Sequence, residues 1–237
     1  MTGARALAHA EMDRRIRQAA RQELATAGGA GLSMRAVARE VGMVSSAIYR
    51  YYPTREALLT AMIIESYHAL GSVLAATADD DHADAGARWA ALAETLRTWA
   101  LEHPHEFQLI YGTPIPGYRA PAETVPAAAA VAQPFLDCAA LGIDPAMVPD
   151  DLVAALAPAG EALGVRTETA AGFLAALSQL VGMITLELGG HFVGVTDDPA
   201  ALHRATVITQ RRTLGLPPPA PRRTAARRTG SARGRRG

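Results

Sequence analysis

Three observations predict an all-α fold, with three short helices leading into a larger helical body. Apolar residues make up 49% of the 237 and aromatics only 5%, so the core must be assembled from Ala, Leu and Val. Ala loses no side-chain entropy on entering a helix. The apolar residues recur every three to four positions, and no stretch alternates in the two-residue rhythm of a half-buried strand. Gly, Pro and a short acidic run punctuate the periodic stretches at helix-length intervals.

Each element follows from its own residues. Met12, Ile16, Ala19, Ala20, Leu24 and Ala27 fall at helical spacing over 11–27, and Gly28-Gly29 stops the run. Ser33 is placed to cap a short helix over 34–41 with Val37, Ala38 and Val41 on one face, and Gly42 ends it. A second short helix over about 45–52 is ended by Pro53. Thr54 caps a long helix through Leu58, Leu59, Met62, Ile63, Tyr67 and Leu70. After the acidic break 79–84, the pattern Trp89, Leu92, Leu96, Trp99 predicts a helix over about 87–102, and Pro104 opens another to Tyr111. The stretch 112–121, with three Pro and two Gly, reads as an ordered loop. Helical patterns then cover about 123–141, 149–163, 167–192 and 199–215, with kinks or breaks expected at Pro126, Pro134 and Pro158. The tail 217–237 lacks large apolar residues and is expected to be disordered.

Zero net charge conceals an asymmetry. Residues 1–55 hold nine Arg against four acids, a net +5; residues 56–216 hold seven Arg against nineteen acids, a net −12; the tail holds seven Arg and no acid. A basic head on an acidic body suits contact with a polyanion through the head alone. The Arg-rich tail either adds phosphate affinity or is simply solvated.

Three short helices with Gly42 in the turn between the second and third meet the requirements of a helix-turn-helix. The third helix must then offer its N-terminal residues to base edges. It opens Val44-Ser45-Ser46: Ser pairs with either base type, and Val44 suits a thymine methyl. Tyr49, Tyr51 and Arg55 suit the phosphate backbone at the groove edge.

Residues 31–59, GLSMRAVAREVGMVSSAIYRYYPTREALL, resemble the DNA-binding signature of the TetR (tetracycline-repressor-like) family. The likeness is carried by Gly31, Ser33, Arg35, Ala38, Gly42, Tyr49, Tyr51, Tyr52 and the run Arg55-Glu56-Ala57-Leu58. Carried over by position, the resemblance implies that Ser33 and Arg35 touch phosphate or the groove edge. Val44, Ser45 and Ser46 would face bases, while Tyr49, Tyr51 and Arg55 hold backbone. Two positions depart from the family: Val44 stands where Ser or Thr is usual, leaving the cap of the third helix to Ser45, and Arg55 stands where Lys is usual.

The resemblance further implies a domain division at 1–55 and 56–216, double-stranded DNA with a pseudo-palindromic operator as partner, and a homodimer whose helical domain takes a small-molecule effector. The stretches 103–107 and 111–121 resemble one actinobacterial-type C-terminal subclass. A Pro/Gly loop bracketed by Tyr111 and Tyr118 would stiffen one cavity wall, with Trp99, Phe107, Phe135 and Leu136 as apolar lining; plain core packing accounts equally for any one of these aromatics. The helix over 167–192 is apolar nearly all round and must be buried on several sides. The resemblance assigns it and 199–215 to the dimer interface; a monomer core would use them equally well.

Other chemistries find little support. There is no Gly-rich phosphate loop, no G-x-S-x-G elbow and no dense His/Cys/Asp cluster, so no catalytic residue, cofactor or metal is expected. His103 and His105 alone fall short of a metal set and suit a loop or cap. The lone Cys138 excludes an intramolecular disulfide and fits a reducing compartment. No signal peptide is visible, and the longest uncharged apolar run, 170–186, is shorter than the roughly 20 residues a membrane helix needs. A cytoplasmic DNA-binding repressor is the expectation; an architectural or activating DNA-binding protein without a sensor is the alternative.

Overall fold

The computed structural model describes residues 2–144 and 148–218. Ten α-helices follow in order among them, with no strand: α1 (Thr2–Gly31), α2 (Met34–Glu40), α3 (Ser45–Ile48), α4 (Arg55–Asp79), α5 (Ala85–Glu102), α6 (Pro104–Tyr111), α7 (Val125–Ala139), α8 (Asp150–Leu163), α9 (Thr167–Leu188) and α10 (Pro199–Thr213). A single 3-10 turn, Ala122–Thr124, precedes α7. Apart from Pro217 and Pro218, the expected disordered tail lies outside the described residues.

Two apolar cores organise these helices. The first joins α1, α2, α3 and the start of α4 through Ile16, Ala20, Leu24, Val37, Ile48 and Leu58. The second gathers α4, α5, α6, α7, α9 and α10 around Trp89, Phe107, Phe135, Phe173, Leu180 and Val207. α4 serves both, giving Leu58, Leu59 and Met62 to the first and Leu70 and Leu74 to the second. At 25 residues it is a beam of about 37 Å. The first core therefore extends past residue 55, because the opening turns of α4 complete it.

Caps appear at Ser33 and Thr54, as the sequence predicts, and also at Asp84, which ends the acidic break. Ser33 Oγ accepts from the Ala36 amide, Thr54 Oγ1 from Ala57, and Asp84 Oδ1 from Ala87. Each satisfies one of the donors that a helix start leaves free.

Several boundaries differ from the sequence reading. α1 begins at Thr2, nine residues earlier than its apolar pattern, and resumes after a kink at Gly28 (φ +65°) instead of stopping there. α3 closes at Ile48, with turns from Tyr49 to Tyr51 completing the expected 45–52 segment. α7 and α8 run unbroken past Pro134 and Pro158, and Pro126 sits in the first turn of α7, where a missing N–H costs nothing. α9 ends at Leu188 and is buried along one face only, through Ala170, Phe173, Ala176, Leu180 and Ile184. Leu174 and Leu186 on it stay exposed, as do Leu202 and Ile208 on α10.

Hydrogen bonds fix α9 and α10 against α5. Trp89 Nε1 donates to Gln210 Oε1 (3.1 Å), while Gln210 Nε2 donates to Ala176 O (2.9 Å) and Gln179 Oε1 (3.1 Å). Arg97 and Glu187 form a two-pronged ion pair at 2.9 and 2.5 Å, largely withdrawn from solvent.

Candidate nucleic-acid interface

The turn between α2 and α3 has a defined geometry. Gly42 adopts φ +73°, its amide donates to Arg39 O, and the Met43 amide donates to Ala38 O. This paired closure with glycine in the left-handed region is a Schellman motif, and it aims the chain sharply away from α2. α3 then lies with Ala47 and Ile48 in the core, Ile48 fully buried, while Val44, Ser45, Ser46 and Tyr49 face outward, Val44 at 71% exposure. Val44 occupies the N-cap position in extended conformation and gives no side-chain cap. Ser45, expected to cap α3, is instead its first helical residue.

Six of the nine arginines of the basic head fall into two groups. Arg14, Arg17 and Arg21 on α1 pair with Glu11, Asp13 and Glu65. Arg35 and Arg39 on α2 and Arg50 after α3 are exposed and have no ion-pair partner among the described residues. Positive charge is thus left unneutralised beside the exposed end of α3. Arg39 and Arg50 did not figure in the sequence reading. Their signal lay in their positions beside the turn and beside Tyr49.

Three sequence-predicted contacts have structural duties of their own. Ser33 Oγ is used in capping α2. Tyr51 is half-buried and stacks on His9 with ring centroids 4.5 Å apart, which anchors the N-terminal extension of α1. Arg55 has intramolecular partners as well: Nε donates to Leu32 O (2.9 Å) and Nη2 to Gly29 O (2.6 Å) and Ala30 O (2.8 Å). A planar fork serves these carbonyls at the end of α1 in a way a point charge would not. The neighbouring Tyr52 donates its hydroxyl to Asp13 Oδ1 at 2.6 Å, and burial among these partners pushes its phenol pKa far above the ordinary value.

The sequence-predicted ligand residues do not converge. A cavity of about 710 Å³ lies between the end of α1, α6 and the loop after α6, and of those six residues only Tyr111 lines it. Tyr118 lines a second, of about 200 Å³. Trp99, Phe107 and Phe135 line neither, being packed inside the second core, Phe135 edge-on against Trp89. Leu136 is buried there as well. Each faces the core from its own helix, and helical spacing alone does not separate a core-facing position from a cavity wall. His103 ends α5 and starts α6, its ring tilted over Trp99, so it takes the cap role.

Comparison with known proteins matches both halves of this architecture. A family model described as bacterial regulatory proteins, tetR family, covers residues 16–62. One described as tetracyclin repressor-like, C-terminal domain, covers 89–209, just over half the chain. HTH-type transcriptional regulators of Mycobacterium tuberculosis and Mycobacterium bovis are 40% identical over 146 residues, which is 60% of this chain and 61% of each relative. Among solved structures, SCO4313, described as a regulatory protein, is 34% identical with a TM-score of 0.73, covering 85% of this chain and 96% of that one. A Rhodococcus protein described as of unknown function is 26% identical with a TM-score of 0.64, covering 86% and 95%. The mycobacterial relatives are named as transcriptional regulators. With its helix-turn-helix and its helical C-terminal domain both matched, the chain belongs to the TetR family of bacterial regulatory proteins.

Proposed function

We propose that this protein is a homodimeric, cytoplasmic transcriptional repressor that binds a pseudo-palindromic operator and is released from it by a small-molecule effector. The observation that carries the reading is the exposed Val44-Ser45-Ser46-Tyr49 surface flanked by the unpaired Arg35, Arg39 and Arg50. Small polar side chains suit base edges, and cations suit the flanking phosphates. Dimerisation is supported by the apolar residues that α9 and α10 leave exposed in one chain, since a second copy would cover them. Two recognition helices related by that two-fold axis would enter successive major grooves about 34–36 Å apart. An effector is supported by the 710 Å³ cavity, and the same fold binds stearoyl-CoA in FadR of Bacillus subtilis and minocycline in TetR of Acinetobacter baumannii. Occupancy favouring one domain arrangement would lower operator affinity by population shift.

Selection of sequences from a random DNA library by the full chain, followed by affinity measurements across salt concentrations, tests the reading. A palindromic consensus bound with a steep salt dependence supports it. Binding that ignores sequence would favour an architectural role instead.

A further inference from the structure

Between the two cores runs the loop 112–121, and its first half, Gly112 to Ile115, is a thin wall with a cavity on each side. Its apex residue Ile115 packs on the first core and presses against Gly29, where even a methyl group would come within 2.6 Å of Ile115 Cδ1. Further along, the Tyr118 hydroxyl and Thr60 Oγ1 of α4 are hydrogen-bonded at 3.0 Å. The larger cavity is therefore built by both domains: Leu24 and Ala27 to Ala30 come from the DNA-binding side, α6 and the loop from the other.

Its chemistry is restricted. No Asp, Glu or Arg side chain lines it. Leu24, Leu109 and Ile115 furnish apolar wall, and Gln108 and Thr113 offer neutral hydrogen-bonding groups. The ionisable side chains present are His105, exposed on α6, and Tyr111, whose phenol burial pushes far above its ordinary pKa and holds neutral. A charged occupant would find no acidic side chain and, apart from His105, no basic one to pair with. A volume of about 710 Å³ falls in the range of small-molecule sites.

We infer that the cavity between α1, α6 and the 112–121 loop is the binding site of an uncharged, largely apolar small molecule, held between the two domains. The inference deepens the effector reading above and rests on it only for the consequence on DNA. An occupant touching Gly28 to Ala30 and Ile115 together bears directly on the end of α1, without passing through the buried aromatics of the second core.

The test uses the full chain and the neutral fluorophore N-phenyl-1-naphthylamine. Saturable one-to-one binding is expected, weakened at least tenfold when Ala27→Trp and Gln108→Trp fill the cavity from opposite walls. Both positions are exposed, so circular dichroism should show an unchanged fold, and each single variant provides a second reading. 1-Decanol should displace the fluorophore at concentrations at least tenfold below those of decanoate or decylammonium. Unchanged fluorophore affinity in the filled variants, or a charged competitor equal to decanol, overturns the inference. Operator affinity at saturating fluorophore separates the two readings. Binding that depends on Ala27 and Gln108 but leaves DNA affinity unaltered keeps the site and overturns the effector reading.

Discussion

Arg55 Nη2 donates to Gly29 O at 2.6 Å, tying the first turn of α4 to the last turn of α1. With the bonds to Ala30 O and Leu32 O, one guanidinium satisfies carbonyls that the end of α1 leaves without intrahelical partners. Arg55→Ala should cost about 1–3 kcal/mol in urea unfolding, the range for hydrogen bonds from a charged donor. It should lower DNA affinity by a similar factor on every sequence while leaving the salt slope intact. A slope reduced by about one would instead make Arg55 a phosphate ligand.

Arg35 and Tyr49 should behave in the opposite manner. Both are exposed, and Arg35 has no ion-pair partner among the described residues. Arg35→Ala should leave stability within about 0.5 kcal/mol, as for a surface change. It should also reduce the slope of log affinity against log salt by about one. Tyr49→Ala should weaken binding without redirecting it. Ser45→Ala and Ser46→Ala should change which bases are preferred, by about 1–3 kcal/mol per lost base contact. Sequence selection with each variant, set beside titrations at several salt concentrations, distinguishes the two groups.

What the sequence made legible was local. The caps at Ser33 and Thr54, the turn at Gly42 and the start of α6 at Pro104 depend on residues within a few positions of each other. The misses are long-range. α1 extends to Thr2 although residues 2–10 carry little apolar pattern, and the contact that holds that end, His9 on Tyr51, spans more than forty residues. The bonds of Arg55 to 29–32 are long-range as well, forming only once α4 folds back on α1. The aromatics divide between core and cavity according to how helices cross, and periodicity gives a residue's face without saying what lies opposite. For α9, apolarity on all sides signalled more burial than one chain delivers, and the surplus is what the proposed dimer would cover.

That surplus gives the next expected outcome. Leu174 on α9 and Ile208 on α10 are each 38% exposed, large and apolar. Leu174→Glu or Ile208→Glu would place a carboxylate in the interface without a counter-charge, at a cost of several kcal/mol. Each should weaken self-association by about 100-fold, read by sedimentation equilibrium, and operator affinity should fall with it. Because neither side chain lies in the core, the monomer should retain its helical content. A variant that stays dimeric at micromolar concentration would exclude that face as the interface.

His203 predicts an acid sensitivity. It sits on α10 at 1% exposure, with both ring nitrogens shut off from solvent. Burial lowers its pKa below the ordinary 6.5, with Arg97 acting in the same direction and Glu94, the Ala93 backbone and Glu187 opposing. Protonation would add a cation beside the Arg97–Glu187 pair. The folded chain therefore binds the proton less readily than the unfolded chain, and stability must rise with pH across the interval between the two pKa values. Stability from this group is complete above about pH 6.5 and declines as pH falls toward the lowered folded value, by at most about 1.4 kcal/mol per pH unit. His203→Phe keeps an aromatic of similar size and cannot titrate. Urea unfolding at pH 7.5 and 5.5 should show the native chain losing more stability than the variant. Equal losses in both would place the acid sensitivity elsewhere.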